Sequence, residues 1–196
     1  MAGATEKKSG LYPDLMIDSA YQIDYGQLYE DGYRGIIFDI DNTLVTHGAP
    51  ANARAIRLFK ELKATGFACC LLSNNQEPRV KMFNDDVHVY YIVNAHKPDP
   101  NGYLQAMERM GTVRETTLFI GDQIFTDIWG ANRAGIFNIL TTPIYWKEEI
   151  QIILKRRLEF FIKLGYRVWR RRLGPEARAQ LDGLKTRYTK TGYKEV

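Results

Sequence analysis

The stretch Gly35-Ile36-Ile37-Phe38-Asp39-Ile40-Asp41 is an apolar run that ends in two aspartates. Short runs rich in Ile, Val, Phe and Leu are typical of buried strands. Four more follow, at residues 67–73, 88–93, 116–121 and 135–140, separated by segments with helical spacing of apolar residues. Strands that alternate with single helices predict right-handed crossovers, so we expect an α/β protein with a Rossmann-like, doubly wound parallel sheet.

Polar side chains follow the first four of these strands. Asp39 and Asp41 end the first run, Ser73 ends the second, Lys97 follows the third and Asp122 follows the fourth. The carboxyl ends of parallel strands line one edge of a sheet, where ligands usually bind. We therefore expect these side chains to converge at that edge.

The residue types in this order suit the hydrolysis of a phosphate ester. A carboxylate such as Asp39 can attack phosphorus, and a hard cation such as Mg²⁺ must offset its repulsion by the phosphate dianion. The Lys97 ammonium, the Ser73 hydroxyl and backbone N–H groups after the strand, beginning at Asn74, can bind the phosphoryl oxygens. The second acid, Asp41, can protonate the departing oxygen and then take a proton from water.

Four segments of this chain, residues 38–44, 72–75, 96–98 and 121–127, resemble the four motifs of the haloacid dehalogenase (HAD) superfamily. The similarity covers about residues 11–156 and is greatest to the YqeG-like type IIIA phosphatases, which are related to phosphatidylglycerophosphate phosphatases. The resemblance implies that Asp39 is the nucleophile and a metal ligand, and that Asp41 is the acid/base and a ligand through its backbone carbonyl. It implies that Asp122 is the second metal-binding carboxylate and that Asp127 is a ligand or its support. An aspartate at position 41 favours a hydrolase over the dehalogenases and ion pumps of the superfamily.

The segments between the motifs are too short for an inserted cap domain, so we expect a capless protein with an open site. Such a site suits a phosphate on a bulky scaffold, such as a lipid, a nucleic-acid end or a protein, although some capless relatives act on small molecules. His47 could reach the mouth of the site, and His96 neighbours Lys97. We interpret both histidines as loop residues.

Residues 151–172 contain eight Lys or Arg side chains and one Glu, whereas the whole chain has a formal charge of only +4. The apolar residues of this region share one helical face: Ile150, Ile153, Leu154, Leu158, Phe161, Ile162, Val168 and Trp169. One interpretation is a basic amphipathic helix that packs on the sheet. The other is an interfacial helix that inserts Phe161 and Trp169 into a lipid boundary while its basic residues meet anionic head groups.

We divide the chain into a flexible tail (residues 1–10), a HAD-like phosphatase domain (11–145), the basic helical segment (146–173) and a loose polar tail (174–196). The adjacent Cys69 and Cys70 are expected to be reduced core residues on opposite faces of a strand. No signal peptide or membrane span is evident, so we expect a cytoplasmic protein. A further expectation is that it attaches peripherally to the inner face of the membrane.

The leading hypothesis is an Mg²⁺-dependent phosphatase that converts phosphatidylglycerophosphate to phosphatidylglycerol through an aspartyl phosphate. One alternative is a soluble phosphatase of a sugar, a nucleotide or a nucleic-acid end. The other, from a different class, is an RNA- or ribosome-associated module with a vestigial site. Nucleic acid is the less expected partner, and the oligomeric state is left open.

Overall fold

The structure, a computed structural model, describes residues 10–145 and 150–191, with the backbone alone from 150 to 158. A single sheet of six strands forms its centre, and every strand pairs in parallel in the order β1-β6-β5-β2-β3-β4. The strands are β1 Leu15–Ile17, β2 Gly35–Phe38, β3 Ala68–Leu72, β4 Tyr90–Ile92, β5 Thr117–Gly121 and β6 Phe137–Thr141. The predicted α/β fold with a doubly wound parallel sheet is confirmed.

Helices connect the strands and cover both faces of the sheet. They are α1 Tyr25–Glu30, α2 Ala53–Thr65, α3 Glu77–Val87, α4 Asn101–Met110, α5 Trp129–Ala134, α6 Ile150–Arg172 and α7 Pro175–Arg187. Between β2 and β5 the chain contains only one α-helix per crossover, so residues 35–121 hold no inserted cap domain. Among the described residues, none of these helices has the length and the apolar character needed to cross a membrane.

Alternate residues of the central strands enter two separate hydrophobic clusters. Ile36 and Phe38 of β2 pack on one side of the sheet, and Ile37 packs on the other. Cys69 and Cys70 divide in the same way and are free, buried thiols, as predicted. Burial on both faces explains why these strands are continuously apolar rather than alternating.

Strand β1 is not among the five strands that the sequence predicts. It has three residues and pairs with β6 at one edge of the sheet. A run this short carries too little periodicity to predict a strand.

Helix α6 presents two different faces. Glu159 and Tyr166 are buried. Ile162, like Leu11 and Met16, packs against a small hydrophobic cluster of Ile124, Ile128 and Leu140. The opposite face is exposed and carries Phe160, Phe161, Leu164 and Val168 together with Arg167 and Arg171. The predicted stripe is therefore divided, and its members from 150 to 158 lie outside the described side chains.

The expectation of a loose polar tail after Gly174 is wrong for residues 175–189, which form α7 and a short continuation. Tyr188 is buried in the main hydrophobic cluster, and its hydroxyl donates to Asp31 Oδ2 at 2.8 Å. Arg187 also bonds Asp31, and Thr189 forms an isolated antiparallel bridge with Ile23. These contacts join residues more than a hundred positions apart, so the local polar composition does not predict them.

Candidate active site

Three polar residues directly follow three neighbouring strands. Asp39 follows β2, Ser73 follows β3 and Asp122 follows β5, and all three are buried. Lys97 lies in the loop between β4 and α4 and is also buried. The predicted convergence at the carboxyl edge of the sheet brings Asp39, Asp122 and Lys97 into one cluster, and Ser73 lies at the end of the neighbouring strand β3.

Three carboxylates form a compact cluster at this edge. Asp39, Asp122 and Asp127 each contribute an oxygen, and these oxygens lie within 4.8 Å of one another. The Thr43 hydroxyl lies between two of them, 3.3 Å from Asp39 Oδ2 and 3.4 Å from Asp122 Oδ1. Buried carboxylates repel one another unless a cation is present, and hard oxygen donors are what Mg²⁺ prefers. The donor set therefore fits a hard divalent cation.

The position of Asp127 depends on a glycine. Asp127 lies in a π-helical turn, Ile124–Ile128, and its Oδ2 accepts the Gln123 N–H at 3.0 Å. A Cβ atom on Gly121 would lie 2.6 Å from that same Asp127 oxygen. No side chain fits there, so Gly121 is what allows Asp127 to approach the strand end.

Lys97 supplies a buried positive charge to the acidic cluster. Its Nζ lies 2.6 Å from Asp39 Oδ1 and 2.7 Å from Asp127 Oδ1. Burial alone would lower the pKa of Lys97, but the carboxylates of Asp127 and Asp39 raise it well above its ordinary value. The residue is therefore an ammonium at every physiological pH.

Asp39 is in an environment that disfavours a bare carboxylate. Burial raises its pKa to about 7, the Lys97 ammonium opposes this rise, and the charge of Asp127 adds to it. A cation placed beside Asp39 favours its charged form. The ionised carboxylate of Asp39 and a cation placed beside it would therefore stabilise each other.

Asp41 does not join the carboxylate cluster and is held by its own set of donors. Its Oδ1 accepts the Gly48 N–H at 2.8 Å and two N–H groups of Arg79, from Nη2 at 2.8 Å and Nε at 3.3 Å. Its Oδ2 accepts from Asn75 Nδ2 at 2.7 Å. His47 Nδ1 lies 3.8 Å from Asp41 Oδ1, and its side chain is 70% exposed. This separation suits a proton-transfer residue rather than a side-chain metal ligand.

The loop after β3 connects the predicted phosphate-binding residues. Ser73 Oγ accepts the N–H of Asn75 at 3.1 Å. The Asn74 side chain accepts the Lys97 N–H at 2.7 Å and donates to the Lys97 carbonyl at 3.2 Å. The Asn74 side chain therefore fixes the backbone that carries Lys97. His96 is exposed, in agreement with its interpretation as a loop residue.

Thr43, Asn75 and Arg79 are not among the site residues predicted from the sequence. Thr43 and Asn75 lie inside the motif segments 38–44 and 72–75, so the sequence does carry a signal for these two. Arg79 lies in the first turn of α3, and no spacing rule in the sequence predicts that it reaches Asp41.

Comparison with known proteins agrees with this geometry. A family model described as haloacid dehalogenase-like hydrolase matches residues 50–135. The chain is 37% identical over 138 residues to a Bacillus subtilis protein named "Probable phosphatase YqeG", covering 70% of this chain and 80% of that protein.

Two other relatives are named phosphatidylglycerophosphate phosphatase 1. The Arabidopsis thaliana protein, chloroplastic/mitochondrial, is 28% identical over 75% of this chain, and the chloroplastic Chlamydomonas reinhardtii protein is 25% identical over 76%. The chain spans 45% and 60% of the lengths of these two relatives. The chain therefore belongs to the haloacid dehalogenase-like hydrolases, and it is a phosphatase of that family.

Proposed function

We propose that this phosphatase hydrolyses a phosphomonoester through an aspartyl phosphate on Asp39. The observation that carries the proposal is the buried group in which the Lys97 ammonium contacts both Asp39 and Asp127, with Asp122 alongside. This group places a carboxylate nucleophile, a fixed cation and two further acidic side chains at the same edge of the sheet. Such preorganised charge stabilises a phosphoryl group as it is transferred.

The reaction takes place in two steps. A carboxylate oxygen of Asp39 bonds to phosphorus, the ester P–O bond breaks, and Asp41 gives a proton to the departing oxygen. Asp41 then takes a proton from a water molecule that attacks the acyl phosphate, which regenerates Asp39 and releases inorganic phosphate. Lys97 and Ser73 bind the phosphoryl oxygens.

Asp39, Asp122 and Asp127 would hold Mg²⁺, together with the backbone carbonyl of Asp41. When bound, this ion supplies positive charge that reduces the repulsion between the Asp39 carboxylate and the phosphate dianion.

We further propose that the substrate is phosphatidylglycerophosphate at an anionic membrane surface. The names of two relatives support this substrate, and so does α6. Phe160 and Phe161 on this helix are 61% and 66% exposed, and Arg167 and Arg171 are exposed with them. Aromatic and basic side chains on one surface are typical of an interfacial helix. Trp169 does not belong to that surface, since its ring packs 5.5 Å from that of Tyr12.

The experiment that tests the proposal measures phosphate release from a panel of phosphomonoesters. The panel contains phosphatidylglycerophosphate in mixed micelles, sugar phosphates and nucleotides, each with Mg²⁺ and with a chelator. The Asp39→Asn protein is expected to lose turnover and to form no acyl phosphate, and retained turnover would overturn the mechanism. High turnover of a soluble ester with indifference to the lipid would select the soluble alternative.

Membrane binding is tested by sedimentation with vesicles that contain anionic lipid. Replacing Arg167, Arg171 and Arg172 with Gln should weaken binding. A matched control replaces three exposed basic residues elsewhere, Arg57, Lys60 and Lys81. Point substitutions are preferable to deleting residues 151–196, because Tyr188 is part of the core. Binding to RNA that falls steeply with salt, without vesicle binding, would favour the nucleic-acid alternative.

A further inference from the structure

The N–H donors that hold Asp41 are divided unequally between its two oxygens. Oδ1 accepts from the Gly48 N–H at 2.8 Å and from Arg79 Nη2 and Nε at 2.8 and 3.3 Å. Among the residues that the structure describes, Oδ2 accepts only from Asn75 Nδ2, at 2.7 Å. An ionised carboxylate offers about two acceptor sites on each oxygen. The donors therefore fill Oδ1 and leave one acceptor site of Oδ2 open.

The guanidinium of Arg79 ties Asp41 to a rigid part of the fold. Arg79 lies in the first turn of α3, and Val80 and Phe83 of the same helix are fully buried in the main hydrophobic cluster. Gly48, by contrast, lies in an exposed loop and has a left-handed backbone, with φ 76°. Arg79 Nη1 forms no hydrogen bond with any described residue, so within that part of the chain Asp41 is the acceptor that holds the fork.

This ion pair is separate from the cluster around the nucleophile. The cation that contacts Asp39 and Asp127 is Lys97. The side chains of Arg79 and Asp41 are 15% and 12% exposed, and in such surroundings a charged hydrogen bond is stronger than at a solvated surface. Loss of Arg79 should therefore disturb Asp41 and leave the contacts of the nucleophile in place.

We propose that Arg79 is the positioning residue for proton transfer: it holds Asp41 by Oδ1, so that Oδ2 exchanges the proton with the reacting oxygens. The donors on Oδ1 oppose protonation there, and the proton resides on Oδ2. In the first step the Oδ2–H bond breaks as the departing ester oxygen takes the proton. In the second step Oδ2 takes a proton from the attacking water. The inference rests on the proposed function, in which Asp41 transfers the proton.

An ion pair with a structural role alone makes a different prediction. An alkoxide needs a proton as it leaves, whereas a dinitrophenolate is stable without one, so only alkyl esters depend on the acid. The value of kcat/KM reports events up to the departure of the alcohol, and kcat also includes hydrolysis of the acyl phosphate. A residue that acts through Asp41 therefore affects the two kinds of ester unequally, while a loosened fold slows both.

The test compares dinitrophenyl phosphate with the alkyl phosphomonoester of the panel that wild type hydrolyses fastest. Wild type, Arg79→Met, Arg79→Lys and Asp41→Asn are assayed at saturating Mg²⁺. Arg57→Met is the control, because it removes an exposed arginine on α2. Circular dichroism and the unfolding midpoint verify that each variant is folded.

Asp41→Asn should lower kcat/KM for the alkyl ester by about 10²–10⁴-fold, the usual contribution of a general acid. Arg79→Met should lower it by about 10–100-fold, because a displaced proton donor is less effective. The same variant should change kcat/KM for dinitrophenyl phosphate little. Its kcat and KM for that ester should fall together, and acyl phosphate should accumulate on Asp39, because the attack of water still needs Asp41. Arg79→Lys should recover part of the loss, since an ammonium supplies the charge without the fork.

The outcomes distinguish this inference from the proposed function. If Asp41→Asn slows both esters equally, Asp41 is not the acid and both proposals fail. If Asp41→Asn is selective for the alkyl ester but Arg79→Met slows both esters equally, or neither, only the role of Arg79 is overturned. In the Asp41→Asn protein, adding Arg79→Met should have little further effect on the alkyl ester, and a full additional loss there would also overturn it.

Discussion

Lys97 Nζ lies 2.6 Å from Asp39 Oδ1, and both side chains are almost completely buried. A second carboxylate, that of Asp127, lies 2.7 Å from the same ammonium. The lysine therefore stabilises the resting site, in addition to the phosphoryl binding that we propose for it. Removing it leaves the acidic cluster without its internal cation.

Lys97→Met is expected to abolish turnover and to destabilise the fold. Breaking a buried ion pair by deleting one partner typically costs about 3–5 kcal/mol, because the remaining charge is buried without compensation. Urea unfolding at neutral pH without metal measures this loss. Lys60→Met, on the exposed face of α2, is the control and should change stability by less than about 0.5 kcal/mol. Equal stability of the two variants would contradict the role assigned to Lys97.

Thr43→Val should impair activity more than it impairs folding. The valine keeps the shape but loses the hydroxyl that lies between Asp39 and Asp122. Loss of a side chain that orients metal ligands typically lowers metal affinity or activity about 10–100-fold, while stability should fall by about 1 kcal/mol. The Mg²⁺ concentration at half-maximal turnover and the urea midpoint measure the two effects. Thr43→Ser keeps the hydroxyl and should retain most of the activity.

The sequence predicted the central strands and the four strand ends because both depend on local patterns. Neighbouring residues such as Ile36 and Ile37 are both apolar because both faces of the sheet are covered, and a polar residue marks the carboxyl end of each of these strands. The contact between Arg79 and Asp41 was not predicted, because it depends on how α3 packs across the sheet. Helix α7 was missed because its anchor, Tyr188, binds Asp31 at the other end of the chain.

The two cysteines should resist modification in the folded protein. Burial raises the pKa of Cys69 and of Cys70 to about 12. Since the thiolate is the reactive form, and it is populated only as the pH rises toward that value, almost none is present at pH 8. A disulfide reagent at pH 8 should therefore label both thiols in denaturant and neither in native protein within minutes. Native labelling as fast as that of free glutathione would refute this prediction.

Two glycines in helices should respond to alanine in opposite ways. A Cβ on Gly130 would lie 2.4 Å from the hydroxyl of Tyr103, a fully buried residue whose hydroxyl bonds the carbonyls of Thr126 and Asp127. Gly130→Ala should therefore destabilise the protein by about 1–3 kcal/mol and lower turnover. Gly183 is exposed in α7 with nothing within 4 Å of its added Cβ, so Gly183→Ala should stabilise by about 0.5–1 kcal/mol. Thermal unfolding of both variants measures the difference, and a shift of the same sign in both would contradict this account.

Glu159 connects α6 to the turn that carries Asp127. Its Oε1 accepts the N–H of Ile124 at 3.0 Å, and Ile124 is the first residue of the π-helical turn Ile124–Ile128. The exposed Phe160 and Phe161 follow Glu159 directly. One short stretch of α6 therefore holds both a residue bonded to the rest of the domain and residues that face solvent. Any displacement of α6 at this point moves an acceptor that holds the acidic turn.

Glu159→Leu should therefore lower Mg²⁺-dependent turnover as well as stability. The leucine leaves the buried N–H of Ile124 without its acceptor, which costs about 1–3 kcal/mol. Glu159→Gln keeps a carbonyl oxygen at the same place and should preserve most of the activity, whereas Glu176→Leu, at an exposed site on α7, is the matched control. Hydrogen exchange at residues 123–128 provides the structural measurement. Faster exchange there in Glu159→Leu alone is expected, and unchanged exchange with normal turnover would show that α6 is held by its other contacts.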